Sequence, residues 1–182
     1  MKYYISDPHF GDGNIMRFFN RPFKTADEMD AHMIAKFNEV VKADDELIIL
    51  GDFSSGDRAE DLGYLKVTFD ALNGRKTLIK GNHDTDKIAS LDWGHVCELL
   101  EIKDRGIDLV LCHYPMMTWN NAREDALHLF GHVHTNWKGS NAAINMAVEL
   151  WDYQPADIQQ IYNTSHKLPV HEPWRLAEPG MI

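Results

Sequence analysis

An α/β fold is predicted from two observations on the 182-residue sequence. In the first half, short apolar runs alternate with amphipathic helical segments, and the order strand, helix, strand, helix, strand implies right-handed crossovers and a parallel sheet. In the second half, strands dominate and a tight turn joins two of them, which indicates a hairpin. A chain of this length is expected to form a single domain, 1–182, ending in an irregular tail over 166–182.

Three buried strands and two helices are expected in the first half. The strands are predicted over Lys2–Ser6, Leu47–Leu50 and Lys76–Lys80. One helix should begin at Thr25, because Thr25 and Glu28 match a capping box and apolar residues follow at helical spacing. The other is expected over Asp57–Leu72, with an apolar face that includes Leu62, and Asn73-Gly74 should stop it.

The second half begins with the predicted hairpin of Val96–Lys103 and Ile107–Cys112 around a tight turn at Asp104-Arg105-Gly106. The remaining elements are a loop over Tyr114–Glu124, strands over Leu127–Phe130 and Ala142–Val148, and a last helix that Pro155 opens and that runs through Tyr162. The tail from His166 to Ile182 has three prolines and no periodicity, so we interpret it as a surface strap or a loose end.

Composition and charge limit the classes of function. The formal net charge of −10 makes the surface repel phosphate polymers, so binding of long nucleic acid is disfavoured. A small phosphorylated substrate stays compatible with this charge, because bound divalent ions reverse the local field inside a site. The sequence starts directly with a strand, without a signal peptide, and no apolar run approaches the ~18 residues of a membrane span, so we expect a cytoplasmic protein without a membrane partner.

Five apolar runs end in side chains of the types that bind metals. These ends are Asp7-Pro8-His9, Gly51-Asp52, Gly81-Asn82-His83-Asp84, His113 and Gly131-His132-Val133-His134. Ligands in α/β sheets gather outside the carboxyl ends of the strands, so these motifs should share one cleft. Mixed imidazole and carboxylate ligands suit Mn, Fe, Zn or Ni better than Mg or Ca. The candidate ligands in that cleft are Asp7, His9, Asp52, Asn82, His113, His132 and His134. These seven exceed the need of one catalytic ion and fit two ions ~3.5–4 Å apart with one bridging carboxylate.

The five motifs, in this order and at strand ends, resemble the full motif set of the calcineurin-like metallophosphoesterases. The resemblance spans Ile5 to His134, and Asn145–Ile161 is similar to the closing strand and helix of the small bacterial members. The segment from Asp7 to Phe23 further resembles a compact subgroup of bacterial and phage phosphoesterases, in which histidine is expected where Asp12 stands. The resemblance implies a four-layer αββα sandwich of two mixed sheets flanked by helices, with the metal site at the carboxyl ends of the strands.

The resemblance also implies a role for each site residue. Asp7, His9 and His134 would hold the first ion, Asn82, His113 and His132 the second, and Asp52 would bridge the two. A hydroxide between the ions would attack phosphorus in line. His83 would protonate the leaving oxygen as general acid, with Asp84 as the group that orients its ring. Asn14, Arg17 and Arg21 are candidates for holding a substrate phosphate, and a solvated or ion-paired surface role is the alternative for the arginines.

The expected function is therefore a phosphodiesterase that uses two divalent transition-metal ions, with Mn²⁺ expected first and Fe, Zn or Ni as alternatives, and acts on a small or nucleotide-like substrate. A phosphomonoesterase and a nuclease on short nucleic acid are the alternatives, because the same site is compatible with both reactions. A binding scaffold without activity is disfavoured, because no ligand position is missing and buried carboxylates and histidines at this density are costly without metal charge. The sequence leaves the natural substrate and the oligomeric state open.

Overall fold

A computed structural model of the chain describes residues 1–173 and 177. It contains two mixed β-sheets with helices packed against them, so the predicted α/β class is confirmed. The last part of the predicted tail, residues 174–176 and 178–182, lies outside the described residues. In the described ranges, none of the helices is long and apolar enough to cross a membrane.

The strands form one sheet of five and one of four. In chain order they are β1 (Lys2–Ile5), β2 (Glu46–Ile49), β3 (Arg75–Ile79), β4 (His95–Cys97), β5 (Leu99–Asp104), β6 (Ile107–Cys112), β7 (Leu127–Phe130), β8 (Ala143–Asn145) and β9 (Ala156–Asp157). The first sheet has the order β4-β3-β2-β1-β9, with the first four strands parallel and β9 antiparallel to β1. The second has the order β5-β6-β7-β8, with only the β5–β6 hairpin antiparallel.

The helices are α1 (Gly13–Phe18), α2 (Ala26–Val40), α3 (Leu62–Asp70), α4 (Asp86–Ala89) and α5 (Ile158–Ser165). Helices α2, α3 and α4 cover the outer face of the first sheet, where Met33, Phe69 and Ile88 pack into one apolar cluster with Ile49 and Leu78. The side chains on the other face of this sheet pack against the second sheet, and α5 adds Ile158 and Ile161 to that inner core. The two cores fix the sheets relative to each other because both faces of the first sheet are buried.

The outer face of the second sheet is covered, among the described residues, by segments that connect its strands. Val110 and Phe130 on this face pack with Trp119 and Trp137, which belong to the segments that connect the strands. Among the described residues this fourth layer consists of the loop over 114–126 and a 3-10 turn at His134–Asn136. The loop was predicted, and it lacks the helical apolar spacing that a covering helix would need.

Two elements begin later than the sequence predicted, because a carboxylate caps each helix. The expected helix over Asp57–Leu72 is a 3-10 turn followed by α3, since the Asp61 side chain accepts hydrogen bonds from the first backbone N–H groups of α3. Leu62, expected on the apolar face, is 52% exposed. Pro155 precedes β9 instead of opening α5, which begins behind a capping box of Asp157 and Gln160.

Other boundaries differ where the chain changes direction. The predicted strand Val96–Lys103 divides at Glu98, because its first part pairs with β3 and its second part with β6 in the other sheet. The predicted strand Ala142–Val148 ends at Asn145, whose side chain is bonded to main-chain carbonyls. At the start of α2, Thr25 caps as predicted, but the Glu28 carboxylate accepts from the Lys24 backbone N–H, so the box is not completed.

Candidate metal centre

The exits of β1, β2, β3, β6 and β7 meet in one cleft, as the strand-end motifs predicted. An isolated parallel bridge between Ser6 and Ala147 joins the exit of β1 to the exit of β8, and so links the two sheets beside the cleft. Five candidate ligands at these exits have left-handed backbone conformations, namely Asp7 (φ 57°), His9 (φ 51°), Asp52 (φ 56°), His132 (φ 68°) and His134 (φ 46°). This conformation is unfavourable for residues with a β-carbon, and its concentration here is typical of a functional site.

Two glycines allow the exits to approach each other closely. A β-carbon on Gly131 would lie 1.8 Å from Ser6 Oγ and 2.3 Å from Asp7 Oδ2. A β-carbon on Gly81 would lie 2.3 Å from Asp52 Oδ1, although Gly81 does not have a left-handed conformation. Each glycine is therefore required by the side chain of a neighbouring strand exit, which cannot move without displacing a candidate ligand.

The first cluster consists of Asp7, His9 and His134, whose ligand atoms lie within 4.8 Å of one another. All three residues are buried. The Nε2 atoms of His9 and His134 lie 3.9 and 3.8 Å from Asp7 Oδ1. Burial raises the pKa of the Asp7 carboxyl to about 6 and lowers that of His9 well below its usual range.

The hydrogen bonds of His9 leave one ring nitrogen free for a ligand. The Ser55 hydroxyl donates to Asp12 Oδ2 at 2.6 Å, so the 2.7 Å bond between Ser55 and His9 must have His9 Nδ1–H as its donor. His9 Nε2 then carries a lone pair, and it is buried without a hydrogen-bond partner. A buried acceptor of this kind is costly unless something binds it, so this ring fits a metal ion.

His134 is held in the same way, but by a charged group. Its Nδ1 lies 3.0 Å from Glu149 Oε1, so Nδ1–H donates to this carboxylate and Nε2 faces Asp7. Glu149 is bound in turn by the Arg21 guanidinium at 2.7 and 2.9 Å. Burial raises the pKa of Glu149, but the bond from His134 and the charge of Arg21 outweigh it and lower the pKa to about 2. Phe19 closes this side of the cluster by stacking on the His134 ring, with 3.8 Å between ring centroids.

The second cluster consists of Asp52, His113 and His132, and it is more open. His113 is buried and donates from Nδ1 to the Leu50 carbonyl at 2.8 Å, while its Nε2 lies 3.3 Å from Asn82 Oδ1. Asn82 and His132 are exposed, and the backbone N–H of His132 donates to the Asp7 carboxylate. The structure thus brings all seven predicted ligands together in two adjacent groups.

Asp52 stands between the two clusters. Its Oδ2 atom lies 3.5 Å from His9 Nε2 and 3.4 Å from His113 Nε2. Burial raises the pKa of Asp52, but the interactions with His113 and His9 outweigh burial and lower it to about 2, so this carboxylate is ionised at neutral pH. One ionised carboxylate therefore faces the imidazoles of both clusters.

The two residues with implied roles in proton transfer are placed differently from each other. The His83 ring is exposed and lies edge-on against His9, with 5.3 Å between centroids. Asp84 does not orient that ring. Its carboxylate is buried and accepts hydrogen bonds from the backbone N–H groups of Asp52, Phe53 and Gly81 at 2.8–2.9 Å, which ties the exit of β2 to that of β3.

The three candidates for holding a substrate phosphate differ in their exposure to solvent. Arg21 is buried, and besides Glu149 it donates to the carbonyl oxygens of Asp7 and Pro8 at 2.8 and 2.7 Å, so its guanidinium is not available to a substrate. The prediction for Arg21 is wrong in this respect. Asn14 and Arg17 are exposed on α1, and their predicted contact with a phosphate stays a prediction.

Sequence reasoning missed three residues that support the ligands. Ser55 and Glu149 fix the rings of His9 and His134, and Asn145 donates to the carbonyl oxygens of His134 and Trp137 at 2.7 Å each. Nothing in the local sequence distinguishes Glu149 or Asn145. Ser55 lies three residues after Asp52, and that proximity is the one signal that could have indicated it.

No family model matches the chain. A relative from Methanocaldococcus jannaschii, described as uncharacterized protein MJ1445, is 30% identical over 173 residues, covering 91% of this chain and 91% of the relative. The Gene 66 protein of Mycobacterium phage L5 is 29% identical over 161 residues, covering 73% of this chain and 77% of that protein. Among solved structures, the protein of unknown function AQ665 from Aquifex aeolicus is similar with a TM-score of 0.72 and 28% identity, covering 90% of this chain and 98% of that chain.

The similarity to the M. jannaschii relative extends over 91% of both proteins. The chain belongs to the family of the M. jannaschii protein. Its five motifs at the strand ends keep their resemblance to the motif set of the calcineurin-like metallophosphoesterases. Two candidate clusters for metal ions are thus present at the strand exits of this two-sheet fold.

Proposed function

We propose that the chain is a metal-dependent phosphodiesterase that hydrolyses a small or nucleotide-like substrate. The observation that supports this most strongly is the position of Asp52, whose Oδ2 atom is 3.5 Å from His9 Nε2 and 3.4 Å from His113 Nε2. A carboxylate shared between two groups of metal-type ligands is the arrangement that a two-ion hydrolytic centre requires. The unpartnered Nε2 atom of His9 gives independent support for an ion in the first cluster.

The seven candidate ligands would hold two divalent transition-metal ions. Asp7, His9 and His134 would hold the first ion, Asn82, His113 and His132 the second, and Asp52 both. Mn²⁺ is the ion we expect, with Fe, Zn or Ni as alternatives, because imidazole and carboxylate ligands are mixed. When bound, such ions would activate water and balance charge on the phosphoryl oxygens.

The residues of the chain itself would position the ester and donate a proton. His83 is exposed beside the first cluster, and its backbone N–H donates to Asp52 Oδ1 at 2.9 Å, which fixes the main chain that carries the ring. We assign His83 as the general acid that protonates the leaving oxygen. In this assignment the proton donor is the His83 side chain. Asp84 acts indirectly, because its carboxylate accepts a hydrogen bond from the Asp52 backbone N–H and so holds the turn that carries Asp52.

Access to the centre favours a small ester. Asn82, His83 and His132 are exposed, whereas Phe19 closes the far side over His134. Tyr114, 44% exposed, stands against His113 and His132 with ring centroids 5.0 and 4.9 Å away, and it offers an aromatic wall beside the open cluster. The net charge of −10 disfavours long nucleic acid as the substrate.

A pair of chromogenic esters tests the reaction class. Metal-stripped protein reloaded with Mn²⁺ should hydrolyse bis-p-nitrophenyl phosphate faster than p-nitrophenyl phosphate, and chelator should abolish both rates. The reverse preference would make the protein a phosphomonoesterase, and cleavage confined to short oligonucleotides would make it a nuclease. Absence of turnover together with absence of bound metal by elemental analysis would overturn the enzyme proposal in favour of a binding scaffold.

A further inference from the structure

Glu149 connects two parts of the chain that are far apart in sequence. One of its oxygens, Oε1, accepts from His134 Nδ1 at 3.0 Å and from Arg21 Nε and Nη2 at 2.9 and 2.7 Å. The side chains of Arg21 and Glu149 are 0% and 5% exposed. Two ionisable side chains of the interior therefore converge on a single oxygen atom of a third.

Stability alone does not explain a buried ion pair at this place. Taking two charges out of water is expensive, and apolar side chains of similar volume often replace such a pair without loss. The second oxygen of the carboxylate, Oε2, is moreover buried without a hydrogen-bond partner, which is itself destabilising. A group retained despite these two costs is expected to act on its neighbour, and that neighbour is His134.

Arg21 extends the same connection to a second candidate ligand. Its Nη1 and Nη2 atoms donate to the carbonyl oxygens of Pro8 and Asp7 at 2.7 and 2.8 Å. Asp7 has a left-handed backbone conformation at φ 57°, and these bonds hold the main chain on its carboxyl side. Arg21 and Glu149 together thus fix the main chain at Asp7 and the side chain of His134, two of the three members of the first cluster.

We propose that Glu149 is a positioning residue for the first metal ion. It holds His134 as the tautomer with hydrogen on Nδ1, so that the Nε2 lone pair faces the cluster, and its negative charge makes the imidazole a stronger donor. Arg21 holds the carboxylate in place through hydrogen bonds from Nε and Nη2. The inference rests on the proposed function only in taking the first cluster as a metal site.

Metal binding without substrate tests this role. The measurement is Mn²⁺ titration calorimetry on metal-stripped protein in a His132→Ala background, which removes an exposed ligand of the second cluster and leaves the first to report. Glu149→Ala should weaken Mn²⁺ binding roughly 10–100-fold. Glu149→Gln should weaken it less, because an amide oxygen still accepts from His134 Nδ1–H but brings no charge.

The matched control is Asp152→Asn, a carboxylate-to-amide change three residues along the chain. Asp152 pairs with Lys36 at 2.9 Å on the surface, so its loss should leave Mn²⁺ affinity unchanged. A role for Glu149 in stability alone would lower the unfolding temperature of the metal-free variants and leave Mn²⁺ affinity at the parent value, and that result would overturn the inference. If Glu149→Ala does not fold, the isosteric Gln variant decides. Since no ester is present, failure of the parent protein to hydrolyse phosphoesters would count against the proposed function and not against this role.

Discussion

The first cluster is buried and its histidine rings are held by side chains. The second cluster reaches solvent, and its buried histidine ring is held by the main chain. Ser55 and Glu149 fix the rings of His9 and His134, but His113 is fixed by the Leu50 carbonyl. Asn82 and His132 are exposed, unlike every member of the first cluster. Under the proposed function, this difference would leave the first cluster for a tightly held ion and the second open to ion exchange and to substrate.

The largest effect should come from removing the one carboxylate that the two clusters share. We predict that Asp52→Asn weakens metal binding at both clusters by more than the ~100-fold that loss of an outer partner costs, and abolishes turnover. The reason is that Asp52 Oδ2 faces His9 and His113 at nearly equal distances of 3.5 and 3.4 Å. Elemental analysis after dialysis gives the number of ions retained per chain.

Asp7→Asn is the matched variant for this prediction, because Asp7 belongs to the first cluster alone. It should lose one ion and keep the other. Loss of the same number of ions in the two variants would contradict the view that Asp52 is shared.

An intermediate effect, confined to rate, is predicted for His83→Ala. General acid catalysis contributes typically 10²–10⁴-fold, so turnover of the diester should fall by about 10²-fold or more. Metal content should not change, because the His83 ring is exposed and its contribution to the fold is a backbone N–H bond to Asp52 that alanine retains. Steady-state kinetics and elemental analysis on the same preparation separate the two quantities. If His83→Ala lost metal in proportion to rate, His83 would be a ligand and not a proton donor.

The smallest effect is a difference in pH dependence between the clusters. Burial lowers the pKa of His113, but the Asp52 carboxylate outweighs burial and raises it to about 9. The folded-state pKa is therefore above the unfolded value of about 6.5, so in the metal-free protein this pair stabilises the fold fully below about pH 6.5, and the contribution is lost as pH rises through about 9. An ion that binds His113 must displace this proton.

Apparent affinity at the second cluster should consequently rise about tenfold per pH unit between about pH 7 and 9. The Mn²⁺ affinity of the first cluster should not rise in this way over the same pH range. The reason is that burial lowers the pKa of His9 and raises the pKa of Asp7 only to about 6. Mn²⁺ titrations at several pH values in the His132→Ala and Asp7→Asn variants follow each cluster separately. If Mn²⁺ affinity rose equally with pH in the two variants, the predicted difference in pH dependence between the clusters would be wrong.

The sequence was sufficient for the parts of the site that follow from topology. Strands that run parallel end at the same edge of a sheet, so motifs such as Asp7-Pro8-His9 and Gly51-Asp52 had to meet once the strands were recognised. The sequence was insufficient where the role of a side chain depends on a partner that lies far away along the chain. Arg21 lies 128 residues from Glu149 in the sequence, and no local pattern distinguishes a buried, paired guanidinium from one that is free to bind a phosphate.

The same reason explains the difference at Asp84. Its place after His83 favoured a carboxylate that orients an imidazole, but three backbone N–H groups of neighbouring strand exits occupy both oxygens. The division of one predicted strand at Glu98 was also not visible, since both parts have strand-like residues and only the pairing partners differ. Tertiary contacts decided each of these cases.

The antiparallel strand β9 has a consequence for how the chain is made. Tyr3 pairs with Asp157, so the sheet that contains β1 is complete only after the chain through β9 has left the ribosome. Contacts of such long sequence separation slow folding. During synthesis, the edge of β1 that β9 will cover stays open until β9 emerges, and open edges of this kind are where nascent chains associate with one another.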